Sequence, residues 1–226
     1  MKRSVFYVLC LLAAAGYIIA PYLIFFEAPI EPKQGFIQKI FFFHVPCAWS
    51  MLMGAIASGI AGGVYIFKEK KWSDELGIAA NELTLVYGIL VLLTGPLWAK
   101  AAWGHYWVWD VRLTTVLILF LTFVAVAVAR RFSGPSAKKI SAGLSLFGAV
   151  NVPLIYISVK IWNTIHPKTT VVSSLHPDMK PAFFISLATF TVLFVVLLWL
   201  RLKLERSRSR VDALFTQVNE QAYTRG

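Results

Sequence analysis

Charged side chains are scarce in this chain of 226 residues. Asp, Glu, Lys and Arg together make up 15% of it, while 58% is hydrophobic and the mean hydropathy is +0.68. A typical soluble domain carries about 25% charged residues. This shortage of charge, together with the apolar excess, excludes a disordered chain and an ordinary cytosolic enzyme, and it predicts a membrane protein that crosses the bilayer several times.

Cysteine and common catalytic motifs are scarce as well. The chain has two cysteines, Cys10 and Cys47, and no C-x-x-C pair, which excludes a disulfide scaffold and leaves a thiol redox role or covalent haem attachment unsupported. The two cysteines fall near opposite ends of the first two predicted spans, too far apart to bridge. Neither H-E-x-x-H nor G-x-S-x-G occurs, so a protease is poorly supported.

Six long stretches carry almost no charge. About 20 apolar residues cross a bilayer, because the hydrocarbon core is roughly 30 Å thick and a helix rises 1.5 Å per residue. Backbone inside lipid must satisfy its own hydrogen bonds, so the stretches are predicted to be helices of an all-α membrane domain over residues 1–204, followed by a cytoplasmic tail over 205–226. The predicted spans are 4–26, 40–67, 76–99, 113–129, 140–159 and 181–200.

The charges between these spans predict an orientation. Six spans put both termini on one side, and 15 of the 22 lysines and arginines fall on that side, against seven on the other. The positive-inside rule then places both termini in the cytoplasm. In a soluble protein the net charge of +11 would indicate nucleic acid. Here its placement indicates orientation in membrane lipid, and no nucleic-acid partner is expected.

The first span has a second interpretation, as a cleaved signal peptide. It opens with Lys2 and Arg3, as a signal peptide would. Its uncharged stretch is 23 residues long, which exceeds the usual 7–15, so an uncleaved first helix is favoured.

All four histidines fall on the predicted outer side. His44 opens the second span, His105 lies between spans three and four, and His166 and His176 lie between spans five and six. If each had an even chance of either side, such clustering would occur about one time in eight. A lone interfacial histidine is more often inert than a ligand, so this clustering alone is a weak indication.

Tryptophan is concentrated on the same side. Six of the eight map there, and four fall within twelve residues around Gly104, which permits a turn; the four are Trp98, Trp103, Trp107 and Trp109. The ordinary interpretation is an aromatic belt, but a belt should occupy both interfaces. The asymmetry favours a platform of indole faces for a flat apolar ligand. Composition alone supports the two interpretations about equally.

Asp110 and Arg112 lie two residues apart at the end of this tryptophan-rich loop. Arg112 is a candidate to bind the carboxylates of a ligand by bidentate hydrogen bonding. Alternatively, Asp110 and Arg112 pair locally and fix the loop, or Arg112 marks a membrane boundary. The residues themselves slightly favour these local interpretations.

Haem is flat, apolar and a dicarboxylate, and neutral imidazole is a common axial ligand of its iron. Two imidazoles from different outer segments would bind opposite faces of the ring. His44 and His166 are the better pair. His44 follows three phenylalanines and precedes Pro46 at the lip of a helix, and His166 lies just past the fifth span.

Three stretches of the chain resemble the CcmC family of haem-handling membrane proteins of cytochrome c maturation. The stretch WGHYWVWDVRLT is similar to the tryptophan-rich WWD signature of the wider superfamily. The six-span layout and the small size match the CcmC family too, and the resemblance covers most of residues 35–200. The matching stretches are FFHVPCAWSM, TGPLWAKAAWGHYWVWDVRLT and VNVPLIYISVKIWNTIHP.

This resemblance implies haem delivery rather than catalysis. CcmC-like proteins of the bacterial inner membrane hold haem at the outer leaflet and pass it to the periplasmic haem chaperone CcmE, beside the ABC-type partners CcmA and CcmB. By position in the matching motifs, His44 and His166 would be the axial ligands of non-covalently bound haem b. His105 and His176 stay outside this pair. The loop that would carry the ring includes Trp103, Gly104, Trp107, Trp109 and Asp110, within a WWD region over 98–113.

Two rival functions remain. A haem b redox subunit usually places histidines deep inside its spans, and no histidine of this chain lies deep in a predicted span. A small-solute transporter would need an ionisable group within the membrane. Only Glu82 qualifies, and a carboxylate that faces water or a packed neighbour is slightly favoured. Asn151, in the fifth span, is expected to link helices.

Overall fold

The computed structural model describes residues 3–162, 164, 166, 172 and 174–225. Over these residues the chain forms six long helices and no named strand, and each predicted span falls within one helical segment, so the all-α prediction is confirmed. All six segments are long and apolar enough to cross a membrane, as expected of a multi-pass membrane protein. The helices are α1 (Arg3–Tyr22), α2 (Phe41–Lys68), α3 (Lys71–Trp103), α4 (Val111–Phe132), α5 (Ala137–Ile161) and α6 (Lys180–Arg225).

Helix α2 lies at the centre of the bundle. It packs against α3, α5 and α6, while α4 packs on α5 and α1 packs on α6. Glycines on α2 permit the close approach of α5. A Cβ on Gly62 would lie 2.5 Å from the carbonyl oxygen of Ala142, and one on Gly59 would collide with Ala149. Small residues are the usual means of packing helices in lipid, where apolar burial gives no net drive between them.

An apolar layer divides the bundle into two halves. On each of three helices, buried apolar side chains separate residues that line a cavity at one end from residues that line a cavity at the other. We call the cavity at the end with the chain termini the inner cavity, and the other the outer cavity. The layer includes Ala55 of α2, Leu83 and Tyr87 of α3, and Leu119 and Phe123 of α4.

Two helices extend beyond the predicted spans. Helix α3 continues to Trp103, so the part of the tryptophan-rich region that is not helical is Gly104–Asp110. Helix α6 runs without interruption to Arg225, so residue 204 is not an end of secondary structure. Trp98 and Trp103 therefore belong to α3, and their positions are fixed by the packing of that helix in the bundle.

Smaller expectations are also met. Cys10 and Cys47 are both free thiols. The Asn151 side-chain amide donates to the backbone oxygen of Thr115 at 2.9 Å and so links α5 to α4. The Glu82 carboxylate pairs with Arg201 of α6, which confirms the expectation that it meets a packed neighbour.

Candidate functional site

The outer cavity has a volume of about 390 Å³ and lies among five helices. Its lining is mainly aromatic and aliphatic, with a few polar side chains, the usual composition of a pocket for a small organic ligand. His44 comes from α2, Arg112 from α4, and His166 from the segment after α5. The aromatic lining residues include Phe41, Trp98, Trp103, Trp107, Tyr156 and Phe183.

The backbone that carries His44 is held by a contact with α6. Pro46 lies inside the first turns of α2, and proline has no N–H to donate to the carbonyl four residues earlier. That carbonyl belongs to Phe42, and it accepts a hydrogen bond of 2.6 Å from the buried hydroxyl of Ser186 instead. The carbonyl that Pro46 leaves without a helical donor therefore still has a hydrogen bond. This bond ties the first turn of α2, which carries His44, to α6.

The His44 ring lies against α3. Its Nδ1 is 2.9 Å from the hydroxyl oxygen of Thr94. A Cβ added to the next residue, Gly95, would lie 3.2 Å from Cε1 of the ring, so glycine leaves the space that the imidazole occupies. The side chain is 9% exposed, and it borders the cavity. His44 is thus a buried, positioned imidazole at the wall of an apolar pocket.

A series of aromatic rings connects the two histidines across the cavity wall. The ring centroids of His44 and Trp98 are 5.8 Å apart, those of Trp98 and Trp103 are 6.5 Å apart, and those of Trp103 and His166 are 6.2 Å apart. The Trp98 indole N–H donates to Oε1 of Gln34 at 2.7 Å, which holds that ring in place. The histidines, distant in sequence, therefore border the same aromatic surface.

Arg112 brings a positive charge into this apolar setting. Asp110 caps α4 by accepting a hydrogen bond of 2.9 Å from the Arg112 backbone N–H, and the guanidinium carbon lies 5.9 Å from the ring centroid of Tyr156. The Nη1 atom of Arg112 is buried and has no hydrogen-bond partner among the described residues. A buried donor without a partner carries a desolvation cost, which an anionic ligand would offset.

Comparison with known proteins gives the family. The family model for "Heme exporter protein C" (CcmC) matches residues 1–220. The chain belongs to the heme exporter protein C family. It is 39% identical over 194 residues to "Heme exporter protein C" of Bradyrhizobium diazoefficiens, covering 83% of this chain and 73% of the relative. The protein of the same name in Escherichia coli is 35% identical over 181 residues, 78% of this chain and 73% of the relative.

A relative outside the bacteria is also similar. The "Putative cytochrome c biosynthesis ccmC-like mitochondrial protein" of Marchantia polymorpha is 34% identical over 175 residues, which cover 76% of this chain and 75% of the relative. The resemblance read from the tryptophan motif is therefore confirmed at the level of family.

The structure brings together five of the eight residues predicted for the site of this CcmC-family chain. Those that border the outer cavity are His44, His166, Trp103, Trp107 and Arg112. Gly104, Trp109 and Asp110 are not among the lining residues. Gly104 ends α3 with a φ of +80°, a left-handed conformation that favours glycine. Trp109 is 77% exposed and packs edge-on against Trp107.

Sequence reasoning missed several lining residues that other helices supply. Phe183, Phe184 and Leu187 come from the outer end of α6, and Tyr156 comes from α5. The spacing of the three α6 residues, i, i+1 and i+4, is typical of one helix face. That pattern was a usable signal for a buried face, although it does not say which cavity the face borders.

The other two histidines lie elsewhere. His105 lies in the connection after α3 and is exposed. His176 precedes a short turn of 3₁₀ helix, where its Nδ1 accepts from the Asp178 backbone N–H at 3.3 Å. Neither borders the outer cavity, so both suit control substitutions.

Proposed function

We propose that this chain binds haem in the outer cavity and delivers it, at the outer face of the membrane, for cytochrome c maturation. The observation that carries the proposal is that His44 and His166 border one apolar cavity, with Trp98 and Trp103 in series between their rings. The printed names of its relatives, which refer to heme export and cytochrome c biosynthesis, support the same role.

The residues present fit haem in three respects. Indole and phenyl rings offer apolar faces to a porphyrin. The two imidazoles are the type of axial ligand that haem iron commonly takes. The buried Nη1 of Arg112, which has no partner within the described part of the chain, suits a propionate carboxylate through a charge-assisted hydrogen bond. We therefore assign the axial ligands to His44 and His166, and the propionate contact to Arg112.

The two histidines have different supports, which suits a protein that must both hold and release its cargo. His44 is buried in α2 and hydrogen-bonded to α3. His166 is half-buried and lies in the connection after α5. We infer that His44 keeps its place, while His166 is the ligand that an acceptor's side chain replaces. Stacking against the tryptophans is non-directional, so it retains the ring while one ligand is exchanged. We infer that this chain holds haem without a covalent bond and acts as a delivery protein rather than an enzyme.

The apolar layer supports presentation at one face. Leu119 and Phe123 of α4 are fully buried and lie between the α4 residues that line the two cavities, which supports binding at one face rather than passage through the bundle. We assign the outer cavity to the periplasmic side of the bacterial inner membrane, and the positive-inside rule supports this assignment. There the acceptor is a CcmE-like haem chaperone, and the neighbours are ABC-type subunits like CcmA and CcmB.

The ligand assignment is tested by replacing each histidine. We expect His44→Ala and His166→Ala each to lower the haem content of the purified protein, and the double variant to lose the Soret band, because no axial ligand remains. Haem retention is measured by absorption with and without reductant, and cytochrome c assembly is scored in cells. His105→Ala and His176→Ala are the matched controls, expected to keep wild-type haem. Normal haem in the purified double variant would refute the assignment.

A further inference from the structure

A threonine on α3 lies beside His44, which we assign as an axial ligand at the outer cavity. Thr94 Oγ1 is 2.9 Å from Nδ1 of His44, and the same hydroxyl is 2.7 Å from the backbone oxygen of Leu90, one turn earlier. A threonine hydroxyl has one proton to donate and can accept two hydrogen bonds. Whether the Thr94 hydroxyl donates to His44 or accepts from it therefore depends on where the hydroxyl proton goes.

The proton of Thr94 has an acceptor within its own helix. A threonine in a helix commonly donates to the carbonyl four residues back, and the 2.7 Å contact with Leu90 has this geometry. With its proton used there, Oγ1 presents only lone pairs to His44. A favourable contact at 2.9 Å then requires that His44 Nδ1 carry the proton, and in the neutral imidazole Nε2 keeps its unshared pair.

We propose that Thr94 is a positioning residue that fixes His44 in the Nδ1–H tautomer and so offers Nε2 to the haem iron. The proposal rests on the proposed function, in which His44 is an axial ligand. It gives a role to Thr94, the first residue of a matching stretch, and it explains why Gly95 follows, since any Cβ there would press on the same imidazole.

The chemistry of such a contact is general. A metal-bound histidine that donates its other N–H to an acceptor is held in one tautomer and one orientation, and becomes a more basic ligand. Loss of that acceptor typically weakens metal binding 10–100-fold. A more basic axial ligand also favours ferric over ferrous haem, so the contact lowers the reduction potential of the bound haem.

The test uses the full-length purified protein and haem as the titrant. Thr94→Val keeps the shape and removes the acceptor, and Thr94→Ser keeps the acceptor. We expect Thr94→Val to bind haem about 10–100-fold more weakly and to raise the midpoint potential of the haem that remains bound. Thr94→Ser should match the wild type in both. If the Thr94→Val protein does not fold, Thr94→Ala takes its place, with the same expected results.

The outcomes distinguish a failure of the Thr94 role from a failure of the proposed function, in which His44 binds haem iron. If His44→Ala lowers haem affinity but Thr94→Val changes neither affinity nor potential, the positioning role is overturned and the ligand role stands. A weaker affinity with an unchanged potential also overturns it, because a merely structural defect would do the same. If His44→Ala itself has no effect on affinity, the proposed function fails first.

Discussion

The two cavities of this protein differ in how their charges are arranged. The inner cavity, of about 670 Å³, is lined by many charged side chains, and three of its carboxylates pair with arginines. The outer cavity is mainly apolar, and the buried Nη1 of its arginine, Arg112, has no partner among the residues that the structure describes. Charges that pair with one another hold the helices together, whereas a buried guanidinium nitrogen without a hydrogen-bond partner in an apolar wall is suited to an anionic ligand.

The ion pairs at the inner cavity join helices to one another at the end of the bundle where the chain termini lie. Both terminal guanidinium nitrogens of Arg130 on α4, Nη1 and Nη2, donate to the Asp74 carboxylate of α3, at 2.5 and 2.6 Å. Arg201 of α6 contacts Glu82 of α3 and, one turn along its own helix, Glu205. Because Glu82 is paired in this way, the intramembrane carboxylate that raised the possibility of a transporter has a structural role in the described bundle.

The largest effect of breaking this contrast is expected at Arg112. Arg112→Gln removes the charge that we assign to a propionate, and a hydrogen bond to a charged group contributes about 1.5–3 kcal/mol. The predicted result is haem affinity roughly 10–100-fold lower, measured by Soret titration of the purified protein. Arg131→Gln, at the inner cavity, is the matched control and should leave affinity unchanged. Equal losses in both variants would contradict the contrast between the cavities.

A smaller effect separates two tryptophans of the same motif. Trp103 borders the outer cavity, whereas Trp109 is exposed to solvent or lipid. Trp103→Ala is predicted to lower haem retention severalfold, through lost stacking of about 1 kcal/mol. Trp109→Ala should retain haem but reduce co-purification with the periplasmic chaperone. If Trp109→Ala lost haem while Trp103→Ala kept it, the ring would have to lie on the other side of the motif.

No effect on haem is expected when the inner cavity is altered. Asp74→Asn leaves Arg130 and Lys138 without their shared counter-charge, so the thermal unfolding temperature should fall. A loss of about 1–3 kcal/mol is expected, between the values typical of exposed and of buried pairs. Haem affinity per folded molecule should stay at the wild-type level. A change in affinity without a change in stability would mean that the cavities are coupled.

The exposed pair between Glu69 and Lys139 is the control for that measurement. The Lys139 ammonium lies 2.8 Å from the Glu69 carboxylate and lowers the pKa of Glu69, which lies outside the spanning helices, from its ordinary 4.5. A lowered carboxyl pKa stabilises the fold above the unfolded-state pKa, and this stability is lost as the pH falls through the folded-state value. Lys139→Gln should therefore change the unfolding temperature little at neutral pH, and not at all in strong acid.

Helix number and the identity of the tryptophan motif could be read from the sequence. Each span is a long uncharged run, and lipid leaves an isolated backbone segment no choice but a helix. The termini of the helices were less predictable. Helix α3 extends past Lys100 to Trp103. Hydropathy does not predict this end, because aromatic residues near a membrane interface are compatible with both helix and loop.

The site was only partly predictable for a related reason. Motif position indicated His44 and His166, side-chain chemistry made Arg112 a candidate, and these three residues border one cavity. Neither Thr94, which opens one of the matching stretches, nor Phe183 stands out as a site residue, because a threonine or a phenylalanine in an apolar run is the same letter whether it faces lipid, another helix or a cavity. Their contribution depends on the rotation of α3 and α6 about their own axes.

Hydrophobic length and a long aromatic motif are properties of continuous segments, so the amino-acid sequence is enough to identify a six-helix membrane protein of the CcmC family. Which side chains meet depends on the folded bundle: Ser186 supports the start of α2, Thr94 faces the His44 ring, and the Nη1 atom of Arg112 is buried without a partner among the described residues. These contacts join helices distant in sequence, and their energies come from packing and hydrogen bonding across the bundle.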